Sequence, residues 1–255
     1  MRALRALAVA FSMYSRIPMP QFEWGKEDMK YMLCFFPWVG AVIGGCVWLW
    51  AMLSAVLGAG WLARCLVGAA LPLLITGGFH ADGFLDTMDA FCSYQPREKK
   101  LEILKDPHIG AFSVLMLAGY GLLYLAAFSE VREPELLAVV CAGFALSRAF
   151  SGLGVVSLPS AKKEGLLAWT ADSAAKRTVK LALSLQALFC AGFMLYCSLP
   201  GGGLALLAAA GSFAYYRHRC RRELGGITGD TAGYFILLCE GWMTAAVALV
   251  SLVTP

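Results

Sequence analysis

The 255 residues are 59% apolar and 15% charged, with a net charge of +4. A soluble domain carries about 25% charged residues, so this chain cannot cover a water-facing surface. Disorder, a collagen repeat and a disulfide scaffold are excluded too, and so weak a positive balance does not indicate nucleic acid. What remains is an integral membrane protein: an all-α, polytopic helical bundle forming one domain over 1–255.

In chain order, Arg2, Arg5, Ser12 and Arg16 share one helical stripe, so 1–20 is read as an amphipathic helix lying at the membrane interface. A spanning helix needs about 20 mostly apolar residues. Residues 31–57 meet this; 65–79 form a shorter run that ends in Thr76-Gly77-Gly78. Residues 109–129 are uncharged, and 136–158 carry only Arg148. Residues 181–216 are uncharged but contain Pro200-Gly201-Gly202-Gly203, read as a tight turn separating 181–199 from 203–216. Residues 231–254 are apolar except for Glu240. The expectation is seven spans.

The basic residues orient them. With a cytoplasmic N-terminus, the inner segments hold Arg2, Arg5, Arg16, Lys26 and Lys30, then Arg97, Lys99, Lys100 and Lys105. They also hold Lys162, Lys163, Lys176, Arg177 and Lys180, then Arg217, Arg219, Arg221 and Arg222. Only Arg64 and Arg132 fall outside. This asymmetry predicts a multi-pass protein of the inner membrane with its C-terminus outside. Residues 80–108, 159–180 and 217–230 become cytoplasmic loops, and the active site is expected on that side. The nine Cys include no C-x-x-C pair and sit mostly in apolar runs, so they read as free thiols.

The chemistry concentrates in Gly77-Gly78-Phe79-His80-Ala81-Asp82-Gly83-Phe84-Leu85-Asp86-Thr87-Met88-Asp89. Asp82, Asp86 and Asp89 are spaced i, i+4, i+7 and share one helix face. Phe84, Leu85, Met88 and Phe91 form the other face. Stacked carboxylates with no interspersed cation suit a hard metal ion such as Mg²⁺, Mn²⁺ or Ca²⁺. Mg²⁺ in particular completes its shell with water and substrate phosphates. His80 is a candidate phosphate donor, acid or base, or a helix cap. Asp230 opens the last span, where it could cap the helix or meet metal or substrate. Arg148 and Glu240 lie inside spans, where a charge needs a partner or a polar cavity. Arg148 could grip a substrate phosphate, snorkel, or pair with Glu240.

Two families share aspartate patterns of this kind. The CDP-alcohol phosphotransferases carry D-G-x-x-A-R-x8-G-x3-D-x3-D; here no Ala-Arg follows Asp82-Gly83 at that spacing and the downstream half is absent. The stretch G-G-F-H-x-D-G-x-x-D-x-x-D more closely resembles the signature of the cobalamin (5′-phosphate) synthase family, the adenosylcobinamide-GDP ribazoletransferases. Arg16-Ile17-Pro18 is similar to that family's opening segment, Lys105-Asp106-Pro107-His108-Ile109-Gly110-Ala111-Phe112 to its K-D-S-R-I-G-A-F, and Gly225-Gly226-Ile227-Thr228-Gly229-Asp230 to its G-G-x-T-G-D. The chain departs from the family at Pro107 and His108, at Ala90 and at Tyr234.

The resemblance implies a Mg²⁺-dependent transferase (Mn²⁺ as an alternative ion) acting late in cobalamin nucleotide-loop assembly. It would join adenosylcobinamide-GDP to α-ribazole or α-ribazole 5′-phosphate and release GMP. Asp82, Asp86 and Asp89 would hold the metal. Asp89 or Asp106 would take the proton from the attacking hydroxyl, with His80 a further catalytic candidate. His108, Arg148, Gly229 and Asp230 would contact substrate. The expected partners are the two substrates and the bilayer, with a homo-oligomer and other nucleotide-loop enzymes as open alternatives and no nucleic acid. The competing readings are a CDP-alcohol-type phosphotransferase and a cation transporter using the three aspartates as its path. A transporter would place them near the bilayer midplane rather than at the end of a span, and no internal repeat is visible.

Overall fold

The computed structural model describes residues 2–162 and 164–253. Lys163 and the side chain of Arg2, both counted above as basic, lie outside the described residues, as do Met1, Thr254 and Pro255. The first half contains α1 (Arg2–Tyr14), α2 (Lys26–Met29), a 3₁₀ turn (Met32–Phe35), α3 (Phe36–Val56), α4 (Trp61–Thr76), α5 (Phe79–Cys92) and α6 (Arg97–Ile103). The second contains α7 (Ala111–Glu130), α8 (Pro134–Ser157), α9 (Leu166–Ser173), α10 (Lys176–Cys197), α11 (Leu199–Leu224) and α12 (Gly229–Val253). No strand occurs among the described residues; one isolated bridge pairs Ser160 with Ile227.

Among the described residues, five helices are long and apolar enough to cross a membrane: the 3₁₀ turn continued by α3, then α7, α8, α10 and α12. A sixth arises if α4 and α5 count as one broken span, bent by 89°. The expected number of seven therefore exceeds what length and hydropathy support. The difference lies in α11, whose glycines, tyrosines and arginines dilute its apolar character.

Helix starts obey local rules. Pro37, Pro134 and Pro200 each stand in the first turn of their helix, where a missing N–H is harmless. Pro200-Gly201-Gly202-Gly203 is consequently not the turn. Ser198 is, accepting a hydrogen bond from Gly201 N at 3.1 Å, and the three glycines are helical. The expected loops also shrink. Residues 80–108 are mostly α5 and α6, α9 fills part of 159–180, and α11 runs on through Leu224. Burying one face of each segment against the bundle stabilises helix where polarity alone suggests loop.

Lipid is as apolar as a leucine side chain, so helices in a membrane associate through close backbone packing and polar contacts. α8 forms the centre. Gly40 and Gly44 of α3 lie against the backbone of Phe144 and Cys141, where a Cβ would collide. The residues of α1 are not all interfacial: Val9, Ala10 and Phe11 are buried in the core, and Arg16 falls beyond the helix end. All nine cysteines are free.

Candidate active site

Gly77 and Gly78 set the geometry. Both have positive φ, 65° and 81°, a region L side chains avoid. They end α4 and turn the chain into α5 almost at a right angle. α5 thereby lies across one end of the bundle. Its apolar face packs inward: Phe84 meets Tyr120 and Tyr234 at 5.5 Å, and Phe91 meets Tyr234 at 5.9 Å. Tyr234, a departure from the family pattern, fills the seam between these two phenylalanines. Asp82 on the opposite face is exposed, while Asp86 and Asp89 are half-buried.

Contact between α5 and the start of α12 brings in the fourth carboxylate. A Cβ on Gly83 would lie 2.6 Å from Asp230 O, and one on Gly233 would lie 3.2 Å from His80 O. Only glycine allows the two backbones this close. Asp86 accordingly feels the charges of Asp82, Asp230, Asp89 and Lys162. Asp230 is not the cap of α12. Thr228 and Thr231 cap it reciprocally: Thr231 Oγ1 accepts from Thr228 N at 2.8 Å, and Thr228 Oγ1 accepts from Thr231 N at 3.2 Å. Asp230 instead accepts from Thr228 Oγ1 at 3.3 Å and faces Lys162, whose Nζ is 3.7 Å away.

Lys162 was read from sequence as loop. The Ser160–Ile227 bridge delivers it: Ile227 N donates to Pro159 O at 2.9 Å and Ala161 N to Ile227 O at 2.8 Å. Lys162 Nζ also donates to Leu104 O at 3.3 Å, drawing in the segment before α7. In sequence Lys162 stands in Lys162-Lys163-Glu164-Gly165, far from the aspartate motif, and nothing in that stretch specifies a partner.

The other expected site residues separate into groups. Asp89 Oδ2 accepts from Gly110 N at 2.7 Å and from Ser113 Oγ at 2.9 Å, so it anchors the start of α7. Asp106 accepts from His108 N at 3.0 Å and meets His108 Nδ1 at 2.7 Å on an exposed loop. The His108 N–H and ring hold the Asp106 carboxyl below its usual range. Gly229 lines the cavity beside Asp230. Arg148 is 1% exposed, donates to Glu240 Oε1 at 2.7 Å, and is thus paired inside the bundle rather than placed among the aspartates. Ser147 Oγ donates to the same oxygen at 3.0 Å. His80 points away from the acidic face and is 3% exposed. Tyr14, Phe36 and Phe79 surround its ring. Neither of its ring nitrogens has a hydrogen-bond partner, and the same holds for Ser151 Oγ. An unsatisfied buried polar group costs about 1–3 kcal/mol.

A hard cation fits this donor set in one respect. Asp82 and Asp230 offer oxygen only, on facing elements, and line a cavity of about 240 Å³, with Asp86 near enough to feel both charges. No three His, Cys, Asp or Glu side chains among the described residues close into a complete ligand group. That suits Mg²⁺, which binds through one or two carboxylates and fills its shell with water and substrate phosphate.

The fold and site define a polytopic helical membrane protein that gathers four aspartates and a lysine around the α5–α12 contact. The match of residues 6–249 to the model of cobalamin-5-phosphate synthase narrows that class. The chain belongs to the cobalamin-5-phosphate synthase family. Among curated relatives, an adenosylcobinamide-GDP ribazoletransferase of Lachnoclostridium phytofermentans is 40% identical over 94% of this chain and 92% of its own length. Relatives of the same name from Chlorobaculum tepidum and Clostridium perfringens are 32% and 29% identical; the first match covers 96% of both chains, the second 92% of this one and 94% of its own. No solved structure matches.

Proposed function

We propose that this protein is an adenosylcobinamide-GDP ribazoletransferase, joining adenosylcobinamide-GDP to α-ribazole or its 5′-phosphate and releasing GMP. The observation that carries the reading is the meeting of the α5 carboxylates with Asp230 and Lys162 across the α5–α12 contact. The ribose 3′-hydroxyl attacks the phosphorus bonded to cobinamide. A new P–O bond forms, the phosphoanhydride to GMP breaks, and the hydroxyl proton passes to a carboxylate.

The chain's residues divide this work. Lys162 takes one diphosphate oxygen as a point charge. The N–H groups at the start of α12, near Gly229, meet another. One or two of Asp82, Asp86 and Asp230 would hold a Mg²⁺ ion, which would supply charge neutralisation for the diphosphate. Asp89 is the better of the two proposed proton acceptors. Its Oδ1 makes no hydrogen bond among the described residues, since both bonds fall on Oδ2. The Asp106 carboxyl is held low by His108, which makes it the weaker base. We assign the acidic end to the cytoplasmic side of the inner membrane, on the distribution of basic residues.

The test uses purified protein in liposomes with adenosylcobinamide-GDP and α-ribazole 5′-phosphate. GMP release matched to a cobalamin product, lost with EDTA and restored by Mg²⁺, is expected. Absence of product from folded protein with both ribazole forms would overturn the substrate assignment. Turnover undiminished by EDTA would overturn the metal.

A further inference from the structure

Two cavities meet on the α12 side of α5. The outer one, about 240 Å³, holds Asp82, Lys162, Thr228 and Asp230. The inner one, about 60 Å³, is lined by Tyr14, Phe36, His80 and Ser151. They share Phe79, Leu166, Leu167 and Gly229, so the two adjoin along one wall.

The inner chamber combines aromatic walls with unspent polar atoms. His80 and Ser151 are each 3% exposed, and His80 Nδ1, His80 Nε2 and Ser151 Oγ have no hydrogen-bond partner. Buried polar atoms are nearly always satisfied, so such a group implies something that satisfies it. The His80 ring is also held in place, with the Tyr14 ring stacked at 6.1 Å and the Phe36 and Phe79 rings edge-on at 5.9 and 5.5 Å. An aromatic slot with a fixed donor at its floor suits the edge of a flat heterocycle that carries a ring nitrogen. The outer chamber, lined by carboxylates and a lysine, suits the sugar attached to such a ring.

The geometry points to this cleft as the acceptor subsite: only the nitrogen edge of the ribazole benzimidazole reaches the small inner chamber at His80 and Ser151, and the rest of the ring and the ribose lie in the outer chamber beside Asp82. His80 is then a base-recognising residue rather than a proton carrier for the reaction. This rests on the functional reading above. The larger cavity that His80 also lines, about 260 Å³, is bordered by Arg148 and Glu240 and by none of Asp82, Asp86, Asp89 or Asp230, so a sugar seated there would lie apart from the acidic face.

The experiment compares two acceptors in the liposome assay: dimethylbenzimidazole riboside and the corresponding indole riboside, which lacks the second ring nitrogen. The unaltered protein should favour the benzimidazole by at least ten-fold in kcat/KM. His80→Leu and Ser151→Ala should each raise the KM for ribazole and shrink that preference, to about two-fold in His80→Leu, while the KM for adenosylcobinamide-GDP stays within two-fold. Ser151→Ala removes one oxygen only and keeps the test valid if His80→Leu does not fold. An unchanged preference in the folded variants, or no preference in the unaltered protein, overturns the subsite while leaving the reaction standing. No turnover by the unaltered protein with either acceptor overturns the reaction itself, and the subsite with it.

Discussion

Arg148 and Glu240 show what a charge inside a helical bundle requires. Each is buried, and each has the other as its partner; Arg148 also donates to Phe144 O and Glu240 accepts from Ser147 Oγ, while Arg148 Nε has no hydrogen-bond partner. Breaking such a pair leaves one uncompensated charge, so Arg148→Ala or Glu240→Ala should destabilise by about 3–5 kcal/mol. The double change Arg148→Met with Glu240→Leu should be close to neutral in thermal unfolding of detergent-solubilised protein. If Arg148 instead binds substrate, that double variant will be stable but will show a large rise in substrate KM. The acidic face calls for the opposite outcome. Asp82 is exposed and supports no packing, so Asp82→Asn should leave yield and membrane insertion intact. Turnover should fall by about 100-fold or more, as when one electrostatic partner of a transition state is removed. Near-normal activity would remove Asp82 from the site. The aspartate spacing could be read from sequence because a helix repeats every 3.6 residues. Lys162 could not, since nothing local to it names Asp230.

At the scale of elements, the site depends on how closely α5 crosses α12. Gly83 is the contact point: any Cβ there must push the Asp230 backbone away. Gly83→Ala should therefore cost about 1–3 kcal/mol through overpacking. Its effect on kcat should exceed that of an equally destabilising change distant from the site, for instance Gly40→Ala at the α3–α8 contact. Equal losses of activity at equal destabilisation would mean that the crossing merely holds the fold together. The same scale explains the misplaced turn. Pro and Gly residues in a run usually punctuate; here Pro200 starts a helix and the glycines after it let α11 approach α10, with Gly202 against the Met194 backbone. The composition of that run is the same in a turn and in a first helical turn, so only its neighbours distinguish them.

For the whole molecule, the ordering of helices brings the segments around 77–92, 100–113, 159–162 and 223–233 to one end. Hydrogen bonds and ion pairs join them there: Asp89 to Gly110, Lys162 to Leu104 and Asp230, and Lys100 to Glu223. The basic residues argue that this end is cytoplasmic. A topology reporter fused after Ser173 should then read inside, and one fused after Val253 should read outside. Both readings together require α4 and α11 to cross; a cytoplasmic reading at Val253 with Ser173 inside would make the number of crossings even, the six that length and hydropathy allow, with α11 returning without crossing.

The membrane class, most helix positions and the shared face of Asp82, Asp86 and Asp89 follow from the sequence by itself. These are properties of composition and of period, and each is written within some twenty consecutive residues. Only the tertiary structure decided that Asp230 and Lys162 join that face, that Arg148 turns inward to Glu240, that Asp89 spends one oxygen on the start of α7, and that His80 faces an aromatic chamber on the far side of its helix. The reason is physical. Which face of α5 meets α12 depends on a right-angle bend at two glycines and on backbones close enough to exclude a Cβ. Those conditions are met between segments far apart in the chain, and no local pattern contains them.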